Sequence, residues 1–280
     1  MSATHSEEVA QKKRFQFGDN WKSFLSTLDE ERIRIATNSL KEMLQLNELK
    51  GKTFLDVGCG SGLFSLAAKR LGATVHSLDY DPQSVACANE LKRRYYPDDP
   101  FWNVEEGSAL DPGYMNGLGQ FDIVYSWGVL HHTGHMREGI NLASKSVREQ
   151  GLFFIAIYND QGGASKRWLI VKRLYNQLPA IMRPMWALLI ASFFESKYAL
   201  VRLIRGRNPL PLRDWAQKKK VRGMSVWHDW VDWIGGLPFE VATPEEIIVP
   251  LQKQGFILQN ITTSAGGLAC NQYVFKKSGS

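Results

Sequence analysis

The stretch Phe54-Leu-Asp-Val-Gly-Cys-Gly-Ser-Gly62 decides how this chain is read. An apolar run over Lys52–Val57 reads as a buried strand and runs into glycines at 58, 60 and 62. The pattern of Gly62–Leu71 is helical. Glycines in such a loop let the backbone turn tightly and approach a ligand closely. The helix N-terminus behind them offers free N–H groups and positive dipole to a carboxylate or phosphate. Asp79 lies 21 residues past Gly58, just after a second strand over Ala73–Leu78. A carboxylate there can accept hydrogen bonds from both hydroxyls of a ribose. The site is therefore expected to hold a nucleoside-containing cofactor. A dinucleotide fingerprint would put its third glycine at position 63, which is Leu63 here; the loop is G-x-G-x-G. Asp56 adds a negative charge that opposes a pyrophosphate and suits an ammonium or sulfonium.

Outward from this loop, strand and helix alternate. Pro82–Arg94 reads as a helix with proline at its start. Trp102–Glu106 and Phe121–Ser126 read as strands, Met136–Glu149 as a helix and Leu152–Tyr158 as a fifth strand. The pattern resumes at Thr243-Pro-Glu-Glu246, a helix start, and closes with strands over Phe256–Thr263 and Gln272–Lys276. Upstream, residues 1–14 are polar and read as disordered. Phe15–Leu46 reads as two helices, the second capped by Asp29. Alternation of this kind gives an α/β fold: a Rossmann-like, seven-stranded, mainly parallel sheet with helices on both faces. The predicted organisation is an N-terminal helical cap over 1–50, a cofactor-binding core over 51–159 and 236–280, and a helical insert over 160–235 between strands five and six.

The insert differs in composition from the rest. The chain has 280 residues and a net charge of +6, yet residues 160–235 hold 14 Lys+Arg against 5 Asp+Glu and six of the nine tryptophans. Hydrophobic residues at 44% and charged residues at 22% exclude a wholly disordered or fibrous chain. Three widely spaced cysteines (Cys59, Cys87, Cys270) exclude a disulfide scaffold and a CxxC zinc site. The N-terminal residues lack an apolar signal region, and the longest apolar run, Met185–Phe194, is too short to span a bilayer. A cytoplasmic location is expected, with peripheral membrane contact open to the insert.

Four segments together resemble the successive motifs of class I S-adenosylmethionine (SAM)-dependent methyltransferases. They are Phe54–Gly62, Leu78-Asp-Tyr-Asp-Pro82, Glu106-Gly-Ser-Ala-Leu-Asp111 and Phe121-Asp-Ile-Val-Tyr-Ser-Trp-Gly-Val-Leu-His-His132. The resemblance covers about 50–160 and, more loosely, 240–277. It implies SAM as cofactor. Gly58, Cys59, Gly60 and Gly62 would pass under the methionine part, and Asp56 would face its amino group. Asp79 would hold the ribose, Tyr80 would flank the adenine, and Ser108 and Ala109 would lie at the adenine edge. Ser108 stands where the family often has an acid. Ser126 and Trp127 would lie beside the methionine chain.

Methyl transfer from a sulfonium is an in-line displacement, in which much of the catalysis comes from holding the nucleophile ~3 Å from the methyl. A hydroxyl acceptor also wants a base. His131 and His132 follow the fourth strand directly, and His228 lies in the Trp-flanked stretch Trp227–Trp233. These three are the candidate catalytic residues; the first two can equally cap or pack the helix at 136. Tyr158 and Asp160 are further candidates at strand ends. The chain lacks the Asp/Asn-Pro-Pro-aromatic motif of exocyclic-amine enzymes, the Pro-Cys of cytosine-C5 enzymes and the paired glutamates of protein-arginine enzymes. A small-molecule or lipid-like acceptor remains, and nucleic acid is not expected. Enzymes acting on ubiquinone-type phenols are the nearest named analogue by motif order.

The aromatic segment Phe15–Phe24 can fold over the cofactor or pack the domain edge. In the insert, Ser165–Leu178 reads as a helix with Trp168, Val171, Leu174, Tyr175 and Leu178 on one face, and Lys166, Arg167, Lys172 and Arg173 mostly outside it. From Trp186 onward, Ile190, Phe193, Phe194, Leu200, Val201 and Ile204 share a helical stripe. Three readings of the insert stay open: a lid over the acceptor pocket, a membrane-surface helix pair, and a nucleic-acid surface.

Overall fold

The helices of the core begin where the sequence supplies a capping oxygen. In a computed structural model describing residues 5–16, 25, 28–206, 208–210, 226–265, 267 and 269–279, Asp29 caps a helix at Glu30–Leu44, its carboxylate accepting from Arg32 N–H at 2.9 Å. We call this helix α2, after a short α1 at His5–Ala10. The glycine loop opens α3 (Leu63–Arg70), and Asp81 caps α4 (Pro82–Tyr95). Asp111 caps α5 (Pro112–Gly117), and Thr243 forms a reciprocal capping box with Glu246 at the start of α10 (Pro244–Lys253). The helix at Met136–Lys145 is α6.

The strands are β1 (Thr53–Val57), β2 (Thr74–Asp79), β3 (Trp102–Glu106), β4 (Phe121–Trp127), β5 (Val147–Tyr158), β6 (Phe256–Thr262) and β7 (Cys270–Lys277). They form one sheet in the order β3-β2-β1-β4-β5-β7-β6, with β7 antiparallel to both of its neighbours. The expected seven-stranded, mainly parallel sheet is thus present. Alternation along the strands loads both faces. Phe54, Tyr125 and Phe154 pack with Leu40 of α2 and Leu66 of α3. Leu55, Val124 and Phe153 pack on the other face with Ile140 of α6 and Leu251 of α10. The order reverses between β1 and β4, and at such a switch point a crevice opens beyond the carboxyl ends of the strands.

Three local expectations are corrected. The polar residues 5–10 form a helix; it is ordered by polar contacts, which hydropathy does not register. His5 is buried beside Asp81, and Arg14 pairs with Glu8 at 2.6 Å and donates to the His132 carbonyl at 2.9 Å. The helix read to Glu149 ends at Lys145, and β5 starts at Val147. Val147 pairs with Phe121, and the register then shifts before Ile123. Arg148–Gln150 sit on the resulting bulge, with Gln150 at φ 60° and Arg148 bound to Asp122 at 2.9 Å. Helix α5 was not foreseen; the Asp-Pro start was visible, but six residues carry no period.

The insert contributes α7 (Gly163–Gln177), a 3₁₀ turn at Ala180–Met182, α8 (Arg183–Ile204) and α9 (Val226–Gly235). It has its own apolar cluster of Trp168, Tyr175, Ala187 and Ile234, against which Phe15, Phe194, Trp230, Trp233 and Phe239 pack. Two of its expected faces are corrected. On α7, Trp168, Val171 and Tyr175 pack as the stripe predicts, but Leu174 is exposed and Lys172 is buried. On α8, Phe193, Leu200, Val201 and Ile204 face outward, and only Ala187 and Ala191 are buried. The basic run at 218–222 and the aromatic residues at 17–24 lie outside the described residues.

Candidate functional site

The glycine loop is pinned to the end of β2. Gly58 and Cys59 N–H donate to the Leu78 carbonyl at 2.8 and 2.9 Å. Asp79 completes the clamp: one carboxylate oxygen accepts from Gly60 N–H at 2.8 Å, the other from Asp81 N–H at 2.9 Å. Each carboxylate oxygen keeps acceptor capacity after one such bond, so two ribose hydroxyls can still donate to Asp79. Burial raises its pKa to about 6.

Gly58, Gly60 and Gly62 all have positive φ. A Cβ on Gly58 would fall 2.3 Å from the Val129 side chain, and one on Gly62 would fall 3.0 Å from Ala88. The loop is thus pressed between β4's exit and α4, and a side chain at either glycine would displace it. Cys59 is buried with its thiol pKa pushed well up by that burial, so it remains a thiol.

Asp56 is buried under the loop. Its carboxylate accepts from the Ser65 hydroxyl at 2.6 Å, and Ser65 meets Ser77, which in turn accepts from Trp102 Nε1 at 2.9 Å. Desolvation lifts its pKa to about 7. A cation arriving beside it would favour the ionised form. An acid that wants a cation, a carboxylate with room for two hydroxyls and a loop with glycine at every second position suit the ammonium, ribose and chain of SAM.

Tyr80, Ser108 and Ala109 gather at the far side of Asp79. Ser108 Oγ accepts from Leu110 N–H at 3.2 Å, and Ala109 is buried. The Tyr80 ring meets His5 edge-on at 5.5 Å and the Arg14 guanidinium at 5.1 Å. His5 and Arg14 were missed: single polar residues in a polar terminus give no sequence signal. Ser126 is fully buried, and its hydroxyl donates to the Val57 carbonyl at 2.9 Å. Its side chain ties β4 to β1. Trp127 is partly exposed and donates to Gln272 at 3.2 Å.

His131 and His132 follow the carboxyl end of β4, their ring centroids 4.5 Å apart and tilted by 58°. His131 also lies 4.0 Å from the Tyr158 ring, and Tyr158 lies 5.4 Å from Phe239. His132 Nδ1 contacts the Pro238 carbonyl at 2.6 Å. A carbonyl only accepts, so the ring proton sits on Nδ1 and the lone pair on Nε2. Burial and the Lys172 charge bring its pKa down to about 3. His131 is fully buried; its Nδ1 accepts from Tyr158 N–H at 3.4 Å, which leaves the proton on Nε2. That Nε2 is buried without a partner among the described residues. Burial holds its pKa well below the ordinary value, so both imidazoles are neutral at pH 7. Position 228 lies on α9, but the His228 side chain is outside the described residues.

Residues 55–153 match the family profile described as a methyltransferase domain. Ubiquinone biosynthesis O-methyltransferase of Escherichia coli K12 is 32% identical over 124 residues, 44% of this chain and 48% of that protein. The chain thus matches about half the length of these curated relatives. Magnesium protoporphyrin IX methyltransferase from Synechocystis, solved with bound S-adenosylhomocysteine, superposes with a TM-score of 0.57 at 13% identity, covering 96% of this chain and 98% of that one. An O-methyltransferase family protein from Burkholderia thailandensis gives 0.51 at 14% identity, covering 89% and 58%. With the strand order and the glycine clamp already described, these matches identify the fold-bearing core: the chain carries a class I SAM-dependent methyltransferase domain.

Proposed function

We propose that this protein transfers the methyl group of SAM to a hydroxyl of a small, lipid-like acceptor held between the strand ends and the insert. The observation that carries this reading is the pair of neutral histidines past the carboxyl end of β4. Their tautomers are complementary, a buried Nε2–H on His131 and an Nε2 lone pair on His132. Such a pair can hydrogen-bond an acceptor hydroxyl and orient its oxygen toward the methyl, and His132, with a pKa of about 3, takes the proton as the oxygen gains positive charge in the transfer. In the transfer, the hydroxyl proton goes to His132 Nε2 and the oxygen forms a bond to the methyl carbon. The carbon–sulfur bond breaks, and its electron pair stays on sulfur as a neutral thioether. Asp79 and the loop fix the donor, Asp56 balances its positive charge, and the insert roofs the reaction from water. The relatives' names, acting in ubiquinone biosynthesis and on a magnesium porphyrin, support a small or lipid-like acceptor over nucleic acid.

A specific observation favours working at a membrane surface. Helix α8 turns Met185, Leu188, Leu189, Phe193, Leu203 and Ile204 outward, the last 77% exposed. Lys197 on the same helix and Arg205 just past its end are exposed. No helix among the described residues is long and apolar enough to cross a membrane. Apolar side chains beside basic ones fit an interfacial helix on anionic lipid.

The test is production of S-adenosylhomocysteine from SAM with a panel of phenols, quinols and lipid-linked glycans, in wild type and His132→Ala. Acceptor-dependent product that falls at least a hundredfold in the variant, at unchanged SAM affinity, supports the reading. Wild-type turnover in the variant removes His132 as base.

A further inference from the structure

Helix α7 sorts its side chains against hydropathy at one place. Ile170 and Leu174 are 55% and 42% exposed, while Lys172 between them is 1% exposed. The other basic residues of the helix, Lys166, Arg167 and Arg173, are all outside. A lysine is almost never fully buried unless a partner compensates its charge. Among the described residues, none of the ion pairs involves Lys172. Asp232 acts on it only through space.

What holds the ammonium is a carbonyl and two ring faces. Nζ donates to the Trp233 carbonyl near the C-terminal end of α9. It lies 4.9 Å from the Phe239 ring centroid and 6.0 Å from that of Trp168. One hydrogen bond uses one of three ammonium donors. Phe239 is the ring that meets Tyr158, and Tyr158 meets His131. Lys172 is therefore one aromatic ring away from the strand-end wall. Its charge reaches both His131 and His132, lowering the basicity of each.

The acceptor side of the site thus contains a buried lysine whose pKa burial lowers to about 7, two neutral imidazoles and aromatic walls. We infer that Lys172 is the specificity-determining residue of the acceptor site, binding an anionic oxygen, a phenolate or carboxylate, on an aromatic acceptor. This rests on the methyltransferase reading above and adds to it the charge of the acceptor. A neutral acceptor would leave Lys172 desolvated and only part-ionised near pH 7. An anionic one would pair with it in a low-dielectric pocket, where a charge-assisted hydrogen bond is strongest. The ring faces that flank Lys172 also suit a flat, aromatic acceptor.

The experiment is calorimetric binding to the full chain saturated with S-adenosylhomocysteine. The probes are two matched pairs: 3,4-dihydroxybenzoate with 4-methylcatechol, for the carboxylate, and 4-nitrophenol (titrated at pH 8) with 4-methylanisole, for the phenolate. Wild type is expected to bind at least one anionic member ten times or more tighter than its neutral match. Lys172→Met, which keeps the volume, should abolish that preference, and Lys172→Arg should restore part of it. S-adenosylhomocysteine affinity should stay within twofold in all three proteins, which also reports that the variants fold. Equal or weaker binding of both anions by wild type, no binding of any probe, or a preference that survives Lys172→Met overturns the inference. Failure of wild type to bind S-adenosylhomocysteine at all would sink the methyltransferase reading instead. If Lys172→Met does not fold, Lys172→Gln is read in its place by the same criteria.

Discussion

At the scale of single residues, Asp79 has the most to lose. It clamps the glycine loop and is the ribose ligand proposed here. Asp79→Ala removes charge-assisted hydrogen bonds worth roughly 1.5–3 kcal/mol each. Calorimetry should therefore show at least a tenfold loss of SAM affinity while circular dichroism stays native; unchanged affinity would remove the assignment. Asp56 and Asp79 also predict a pH signature. Burial raises both folded-state pKa values, to about 7 and about 6. Between about pH 4 and 7 the folded, cofactor-free protein therefore binds more protons than the unfolded chain, and these two groups make stability fall as pH rises. Cofactor binding runs the other way, since the ribose needs an ionised Asp79 and the donor's positive charge favours an ionised Asp56. SAM affinity should climb from pH 5 to 8 while cofactor-free thermal stability, relative to Asp56→Asn, declines. Parallel trends in the two curves would show that Asp56 does not meet the cofactor's charge. The glycines and these acids were legible in the sequence because backbone geometry and charge are local. Lys172 was not, because its burial is decided by Trp233 and Phe239, about 60 residues away in the chain.

At the scale of elements, helix starts were legible where a capping oxygen and a proline or early acids opened a long periodic stretch, as at Asp29, Asp81 and Thr243, and not at Asp111, whose helix has six residues. The end of α6 was not, because the pairing of Val147 with Phe121 overrides a charged stretch that reads as a helix terminus. Helix α8 shows a third case. Its apolar stripe was visible, but sequence cannot tell a stripe that packs from one that faces out, and here the buried surface rests on Ala187 and Ala191. If that exposed face meets lipid, the full chain should co-sediment with anionic vesicles at low salt and be released as salt rises. Each surface Lys or Arg contributes about 1 kcal/mol to such binding. Leu189→Asp with Phe193→Asp changes two exposed positions and should leave the melting temperature nearly unchanged. It should nonetheless abolish sedimentation. Vesicle binding by the double variant equal to wild type would exclude α8 as the contact.

Across the whole molecule, the N-terminal segment joins parts that the sequence divided into separate blocks. The stretch read as one cap over 1–50 does two jobs. Helix α2 belongs to the core, packing Ile33, Ala36 and Leu40 against the sheet face that carries Phe54. Residues 5–16 run instead across the site. His5 and Arg14 flank Tyr80, Arg14 donates to the His132 carbonyl, and Phe15 N–H donates to the Leu237 carbonyl at 2.9 Å. Phe15 then packs into the insert's apolar cluster beside Gly235. Cofactor that fills the space beside Tyr80 gains contacts only while this segment is down, so binding must stabilise the closed arrangement by the same free energy. Because Phe15 and Leu237 are hydrogen-bonded, that stabilisation should reach the end of α9. Hydrogen exchange with S-adenosylhomocysteine should therefore slow amides in residues 5–16 and 234–239 together, by a similar factor. Arg14→Ala cuts the link at both Tyr80 and His132. It should weaken S-adenosylhomocysteine binding several-fold and reduce the protection at 234–239, a region that Arg14 does not bond. Protection of 5–16 with no change at 234–239 would show that the insert moves independently of the cofactor, and access to the acceptor side would then have to be governed by α7 and α8 alone.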